Sequence, residues 1–85
     1  MNALAQTATW IESDVIAGSY TVKAAPNFAV AVSHKGSAYT VSVPASLAKL
    51  WKQRWIVCWT RTEVERLCHE MFAEVQAIWD DEVAA

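Results

Sequence analysis

Cysteines and histidines are the side chains of this sequence that could ligate a metal ion or attack a substrate. Cys58, Cys68, His34 and His69 could in principle supply four zinc ligands, but no two cysteines stand two to four residues apart, as structural zinc sites require. The sequence also has no G-x-S-x-G nucleophile motif and no glycine-rich phosphate-binding loop. We therefore expect no metal, no cofactor and no enzymatic activity, with Cys68 in the apolar stripe of a helix and His69 on its polar side.

Acidic residues are concentrated at the C-terminal end of the chain. The last 24 residues hold seven acids and one base, whereas the preceding 61 hold six bases and two acids. At 100° per residue, four carboxylates lie within about 20° of one line along a helix. They form an acidic face made of Glu63, Glu70, Glu74 and Asp81. Such a row would mimic the phosphates of DNA and attract the basic groove of a nucleic-acid-binding protein. A helix face that only contacts solvent shows the same pattern.

Bases and aromatic rings are interleaved in a basic segment, residues 49–61. Bases neutralise phosphates and exposed tryptophans stack on unpaired nucleobases, so this segment could bind single-stranded nucleic acid. The binding side chains would be Lys49, Lys52 and Arg54, with Trp51 or Trp55 exposed. Equally, the tryptophans could belong to the core and the bases to an ordinary outer face. In a dimer, the basic segment could also meet the acidic helix of a second copy.

A β-hairpin is the first element predicted to position these residues. Large apolar residues alternate with small or polar ones on both sides of Lys35-Gly36, which predicts strands at 28–34 and 38–43. With Lys35-Gly36 as a two-residue turn, all the large side chains share one face. The facing pairs would be Val32 with Tyr39, Val30 with Val41, and Phe28 with Val43.

A long amphipathic helix is predicted over about 61–82. Apolar residues recur with i, i+3, i+4, i+7 spacing over four turns. Thr60 and Glu63 match a capping box, which places the start of the helix at Thr60. The apolar positions are Val64, Leu67, Cys68, Met71, Phe72, Val75, Ile78 and Trp79.

The middle of the chain allows two interpretations. Pro44 is tolerated in the first turn of a helix, so a short helix that buries Leu47 is expected after it. The segment 54–59 could continue that helix or form a strand. A strand is favoured because β-branched and aromatic residues cluster there and because the residue before Thr60 should not be helical.

The secondary structure of the N-terminal part is the least determined by the sequence. Tyr20 and Val22 alternate in an expected strand, but residues 1–18 fit either a helix from Leu4 to Gly18 or a strand. We predict a single domain, 1–85, with an α+β fold. In it, a small antiparallel sheet, made of the hairpin and neighbouring strands, packs against the long C-terminal helix.

Composition limits the classes of function. The chain has 85 residues, of which 54% are hydrophobic and 19% charged, which is typical of a folded domain and not of a disordered chain. A net charge of −2 argues against a general nucleic-acid binder. No run of 18 apolar residues is present, and no basic residue precedes the first apolar ones, so we expect neither a membrane span nor a secretory signal. With two cysteines only, we expect free thiols and a cytoplasmic protein.

A short, cysteine-poor, acidic chain with a meander over 28–43 and one amphipathic helix over 63–82 resembles small accessory proteins of bacterial viruses, among them the anti-CRISPR proteins. The resemblance concerns overall style and assigns no residue. It implies a non-catalytic inhibitor in the bacterial cytoplasm that occupies a surface needed by a nucleic-acid-guided complex such as a CRISPR effector.

Three functions compete on this basis. The first is a protein-binding inhibitor that uses the acidic face as a DNA mimic. The second is a nucleic-acid-binding module that uses the basic segment. The third is a self-associating structural or assembly subunit, such as a homodimer, because the two parts of the chain carry opposite charges.

Overall fold

The computed structural model describes the backbone of residues 7–84 and the side chains of residues 7–81. Within these residues, five strands and two helices follow one another. They are β1 (Thr9–Glu12), β2 (Ser19–Ala25), β3 (Phe28–Lys35), β4 (Ala38–Ser42), α1 (Ala45–Trp51), β5 (Trp55–Cys58) and α2 (Arg61–Ala84). No helix within the described range is both long and apolar enough to cross a membrane.

The five strands form one antiparallel sheet in the order β1-β2-β3-β4-β5, so each strand pairs with its neighbours along the chain. Because side chains alternate across a strand, the large apolar residues collect on one face of the sheet. Both helices contribute to the core on that face, which confirms the predicted α+β fold. The most deeply buried core residues are Val22, Val32, Val41, Leu47, Val64, Cys68, Met71 and Val75.

The hairpin has a different register from the predicted one. Its turn is Gly36-Ser37 and not Lys35-Gly36, so Val32 pairs with Val41 and not with Tyr39. The reason is the turn geometry, since Gly36 has a φ of 62° whereas Ser37 is not among the residues with positive φ. A type II′ turn needs a positive φ at its first central position only, which glycine adopts without strain. The register moves by two residues, and an even shift keeps every side chain on its predicted face.

The long helix is confirmed, together with its start. Oε1 of Glu63 accepts hydrogen bonds from the backbone N–H groups of Thr60 and Trp59, at 3.0 and 2.8 Å. In return, the Thr60 hydroxyl accepts from the Glu63 N–H at 3.1 Å. This reciprocal capping box satisfies N–H groups that a helix end would otherwise leave unpaired.

The structure decides the two alternatives that the sequence left open. The short helix α1 ends at Trp51, because Lys52 after it has a left-handed φ of 57°, and β5 follows as a strand. At the other end of the chain, Thr9–Glu12 is strand β1, so the helical interpretation is wrong there. Leu4, the first apolar residue of that helix, lies outside the described residues.

Candidate interaction surfaces

The acidic face lies on the outer side of α2. The side chains of Glu63, Glu70, Glu74 and Asp81 are all exposed, whereas Val64, Met71 and Val75, about 60° to 120° away around the helix, are buried in the core. From Glu63 to Asp81 the face is about 27 Å long by helical rise. The helix is therefore held by its apolar side while it presents these carboxylates to solvent.

One member of the acidic face has a structural role. Glu63 caps the helix through the hydrogen bonds described above, so its carboxylate is partly engaged. Arg66 is also near, three residues after Glu63 and four before Glu70, which are the spacings of neighbours on a helix surface. The part of the face that is most available for a partner therefore consists of Glu70, Glu74 and Asp81.

The charge density of the acidic face can be compared with that of DNA. One strand of B-DNA carries a charge about every 3.4 Å along the axis, so about eight phosphates span the same 27 Å. Four carboxylates give about half that density. This is enough to steer a basic partner during association, but apolar contacts must add to the binding energy. The half-buried Leu67 and Ile78 lie about 40° and 60° from the acidic face and could supply such contacts.

The residues predicted to bind nucleic acid in the basic segment differ in their exposure to solvent. Lys49, Lys52 and Arg54 are exposed, but Trp51 is only partly accessible because its ring packs against the core. Trp55 is the exposed tryptophan, with 62% of its surface accessible. The strand β5 explains the difference, since Trp55 lies on the face of the sheet that the helices do not cover. Because Trp51 and Trp55 are four residues apart, as on one face of a helix, the sequence alone left open which of the two tryptophans is exposed.

Two of these cations line a concavity beside Trp55. It has a volume of about 390 Å³ and lies where β4 leads into α1. Lys49, Arg54 and Trp55 are joined there by Ser42, Val43, Ala45 and Ala48. An aromatic ring with two cations beside a small apolar floor can receive a nucleobase and its phosphate.

An aromatic cluster that the sequence did not predict joins β1 to α2. The Trp10 ring meets Tyr20 and Tyr39 edge-on, at centroid distances of 5.5 and 5.8 Å. Cζ of Arg61 lies 4.1 Å from the centroid of the same ring, in cation–π geometry. His34 stacks on Tyr39 at 4.0 Å. Because Arg61 belongs to α2 and the rings belong to the sheet, these contacts stabilise the packing of the start of α2 on the sheet.

Neither helix of the described residues lies on the outer face of the sheet. Small and hydroxyl side chains occupy its centre, and Thr21 pairs with Ala31 while Thr40 pairs with Val57. The large apolar residues here stand near the two edges, at Ile11 on β1 and at Trp55 and Val57 on β5. The sequence favoured a strand over 54–59 but left residues 1–18 open between helix and strand, so the part of this surface formed by β1 was not predicted.

The cysteines and histidines do not converge. Within the part of the chain that the structure describes, no group of three or more potential metal ligands is found. Cys68 is fully buried, and burial raises the pKa of its thiol to about 11. Burial, together with the nearby charge of Glu63, also raises the pKa of Cys58. His69 is half-buried, and its Nε2 lies 2.6 Å from the backbone oxygen of Thr7.

No protein-family model and no curated protein matches the sequence, and no solved structure matches the fold. The chemistry of the described surfaces therefore carries the functional argument. Those surfaces are the acidic face of α2, the concavity beside Trp55, and the uncovered side and edge of the sheet.

Proposed function

We propose that this chain is a non-enzymatic inhibitor that binds a basic, nucleic-acid-binding surface of a host protein through the acidic face of α2. The outward orientation of Glu63, Glu70, Glu74 and Asp81 on a helix anchored by its opposite side carries this proposal. A partner whose groove is covered by α2 can no longer bind its nucleic acid. Anti-CRISPR proteins, which this chain resembles in overall style, tend to act by occupying a surface that a nucleic-acid-guided complex needs, and we propose the same class of partner in the bacterial cytoplasm.

The like charges on α2 support a binding role. Glu70 and Glu74 are four residues apart, so their repulsion costs the isolated helix a few tenths of a kcal/mol. The repulsion between these two carboxylates is present in the free chain, and a basic partner would relieve it on binding. The long-range field of the acidic face would then act mainly on the rate of association, which should fall as salt increases.

The test compares two variants with the same change in net charge. Glu70→Lys with Glu74→Lys reverses the centre of the acidic face, while Glu12→Lys with Asp14→Lys reverses two exposed acids near β1. Each chain is used to capture partners from a bacterial lysate, and captured proteins are then tested for binding to a DNA oligonucleotide in competition with the chain.

We expect the wild type and the β1 variant to capture the same DNA-binding protein and to displace DNA from it. The α2 variant should associate about ten times more slowly or worse at low salt. If the α2 variant competes as well as the wild type, or if the captured partner binds no nucleic acid, the proposal fails.

A second candidate function has one specific observation in its favour. Lys49, Arg54 and Trp55 line one concavity, which suits a single-stranded nucleic acid. Titration with an oligonucleotide at low salt should then quench tryptophan fluorescence, and the affinity should fall as salt rises. Lys49→Glu with Arg54→Glu should abolish the quenching, whereas Lys23→Glu with Lys35→Glu should leave it. An unchanged fluorescence of the wild type at low salt would exclude this function.

A further inference from the structure

Among the described residues, β5 is the end strand of the sheet, and some of its backbone groups have no partner strand. The Val43 N–H donates to the Arg54 carbonyl oxygen at 2.9 Å, so the N–H and C=O groups of Arg54 point towards β4. Backbone groups alternate in direction along an antiparallel strand, and those of Ile56 and Cys58 therefore also point to β4. The N–H and C=O groups of Trp55 and Val57 point away from the sheet, towards a side where no further strand of residues 7–84 lies.

The side chains along this edge are large, apolar and exposed. On β5, Trp55 is 62% and Val57 52% accessible, and Trp59, one residue after the strand, is 63% accessible. Proteins usually protect an edge strand with lysine, proline, a bulge or a covering element, because an open edge pairs readily with another strand. Between Trp55 and Cys58 the sequence WIVC has neither proline nor charge. The edge therefore has the properties of a strand-pairing surface.

We propose that two copies of this chain join through β5, antiparallel, about a two-fold axis at Val57. In this register Val57 lies opposite Val57 of the second copy, and Trp55 lies opposite Trp59 of the second copy. The outward N–H of Val57 in each copy then donates to the Val57 carbonyl oxygen of the other copy. Among antiparallel registers that keep outward side chains on one face, only this one pairs all three exposed residues with one another.

The charges at the two ends of β5 suit the same arrangement. Lys52 and Arg54 precede the strand, and Glu63 follows it. An antiparallel pair brings the beginning of one β5 next to the end of the other, so bases of one copy approach Glu63 of the second at both ends. Arg61, the base at that end, already lies over the Trp10 ring.

The area available agrees with a weak dimer. An aromatic side chain buries roughly 150–250 Å², so Trp55 and Trp59, which are 62% and 63% accessible, together offer about 200–300 Å² per copy. With Val57 and the strand backbone, the two copies would bury about 800–1,000 Å², at the lower limit of specific interfaces. The inference is independent of the proposed function, because Glu70 and Glu74 stay exposed in the dimer.

The experiment measures mass against concentration by sedimentation velocity for the wild type and three variants. Val57→Pro removes an outward N–H group that β4 does not use, and proline is tolerated at such positions. Trp55→Lys places a charge in the pairing surface. Trp79→Lys is the control, because Trp79 is an exposed tryptophan of α2, away from β5. Circular dichroism verifies that each variant is folded.

We expect the wild type and Trp79→Lys to dimerise at concentrations of about 100 μM, and the two β5 variants to need at least about ten times more. Val57→Cys should also form a disulfide between copies faster than Ile11→Cys on β1, because the Cα atoms of a hydrogen-bonded antiparallel pair are about 5.5 Å apart. A wild type that stays monomeric at 1 mM, or a dimer that survives both β5 substitutions, would overturn the proposal. Equal rates of disulfide formation would do the same.

Discussion

Nε1 of Trp10 donates a hydrogen bond to Oε2 of Glu65 at 2.9 Å, and it thereby links the first strand to the last helix across 55 residues of the chain. Arg61 lies over the face of the same ring, one helical turn before Glu65. The indole is therefore held at its edge by an anion and on its face by a cation. Since β2 is the one strand of residues 7–84 that pairs with β1, this contact adds a second attachment.

Replacement of Trp10 tests the strength of this attachment. Trp10→Phe keeps a ring on β1 but removes the indole N–H, and it should lower the free energy of unfolding by about 1–2 kcal/mol because the donor to a charged group is lost. Urea unfolding measures the change. Trp79→Phe, on the exposed part of α2, is the control and should change stability by less than about 0.5 kcal/mol. Equal stability of the wild type and Trp10→Phe would show that the bond contributes nothing.

The sequence was informative where one periodicity dominated. The spacing of apolar residues over 64–79 predicted α2, and Thr60 with Glu63 located its start. The alternation in β3 and β4 predicted which side chains face the helix, although the turn was placed one residue too early. A shift of register by two leaves the alternation unchanged, so pattern alone was unable to correct it. The positive φ of Gly36 decides the register.

The sequence was less informative where two periodicities fit the same residues. Trp51 and Trp55 are four apart and match a helix, yet β5 turns Trp55 to the outer face. Trp10 has the same ambiguity, and its contact with Glu65 depends on the packing of distant elements. Which of the surfaces binds a partner depends on that partner and stays a prediction.

The capping box offers a prediction in which charge and hydrogen bonding can be separated. Thr60→Ala removes the acceptor for the Glu63 N–H and should cost about 1 kcal/mol of stability. Glu63→Gln keeps an oxygen that can accept from Thr60 and Trp59, so its cost should be about half as large or less. Thermal unfolding and helix content by circular dichroism report both effects. If Glu63→Gln costs more than Thr60→Ala, the charge of Glu63, and not its hydrogen bonds, stabilises the start of α2.

The two glycines differ in the space around them, which predicts different effects of alanine. Gly18 has a φ of 80°, and a Cβ there would lie 2.7 Å from the carbonyl oxygen of His34. Gly36 has a φ of 62°, but a Cβ there would meet no atom within 4 Å. Gly36→Ala should therefore lower the free energy of unfolding by about 1 kcal/mol, because alanine is strained in the left-handed conformation. Gly18→Ala should lower it by at least about 1 kcal/mol more, because the backbone must also move away from the added Cβ.

Chemical denaturation of both glycine variants measures this difference. The Gly18→Ala variant should also weaken the hydrogen bond from the His34 N–H to the Gly18 oxygen, now 2.7 Å long. Faster amide exchange at His34 than in Gly36→Ala would show that β2 and β3 have separated at this end. Equal losses of stability in the two variants would contradict the close approach at Gly18.

The buried thiol of Cys68 predicts a loss of stability in alkali. Burial, with a further contribution from the charge of Glu65 and against a backbone hydrogen bond at Ala24, raises its pKa from 9.0 to about 11. The thiol also donates to the Val22 carbonyl oxygen at 3.6 Å, which the thiolate is unable to do. Below pH 9 the thiol is protonated in both folded and unfolded chains, and its contribution to stability is complete. Between pH 9 and about 11 only the unfolded chain loses the proton, so stability falls as pH rises.

Cys68→Ala isolates this effect, because every other ionisable group is present in both chains. The stability of the wild type minus that of Cys68→Ala should be constant up to pH 9 and then decrease by about 1.4 kcal/mol per pH unit. Urea unfolding at intervals from pH 7 to 10.5 measures it. A difference that is independent of pH would mean that solvent reaches Cys68 and that the packing of α2 on β2 is looser than the structure shows.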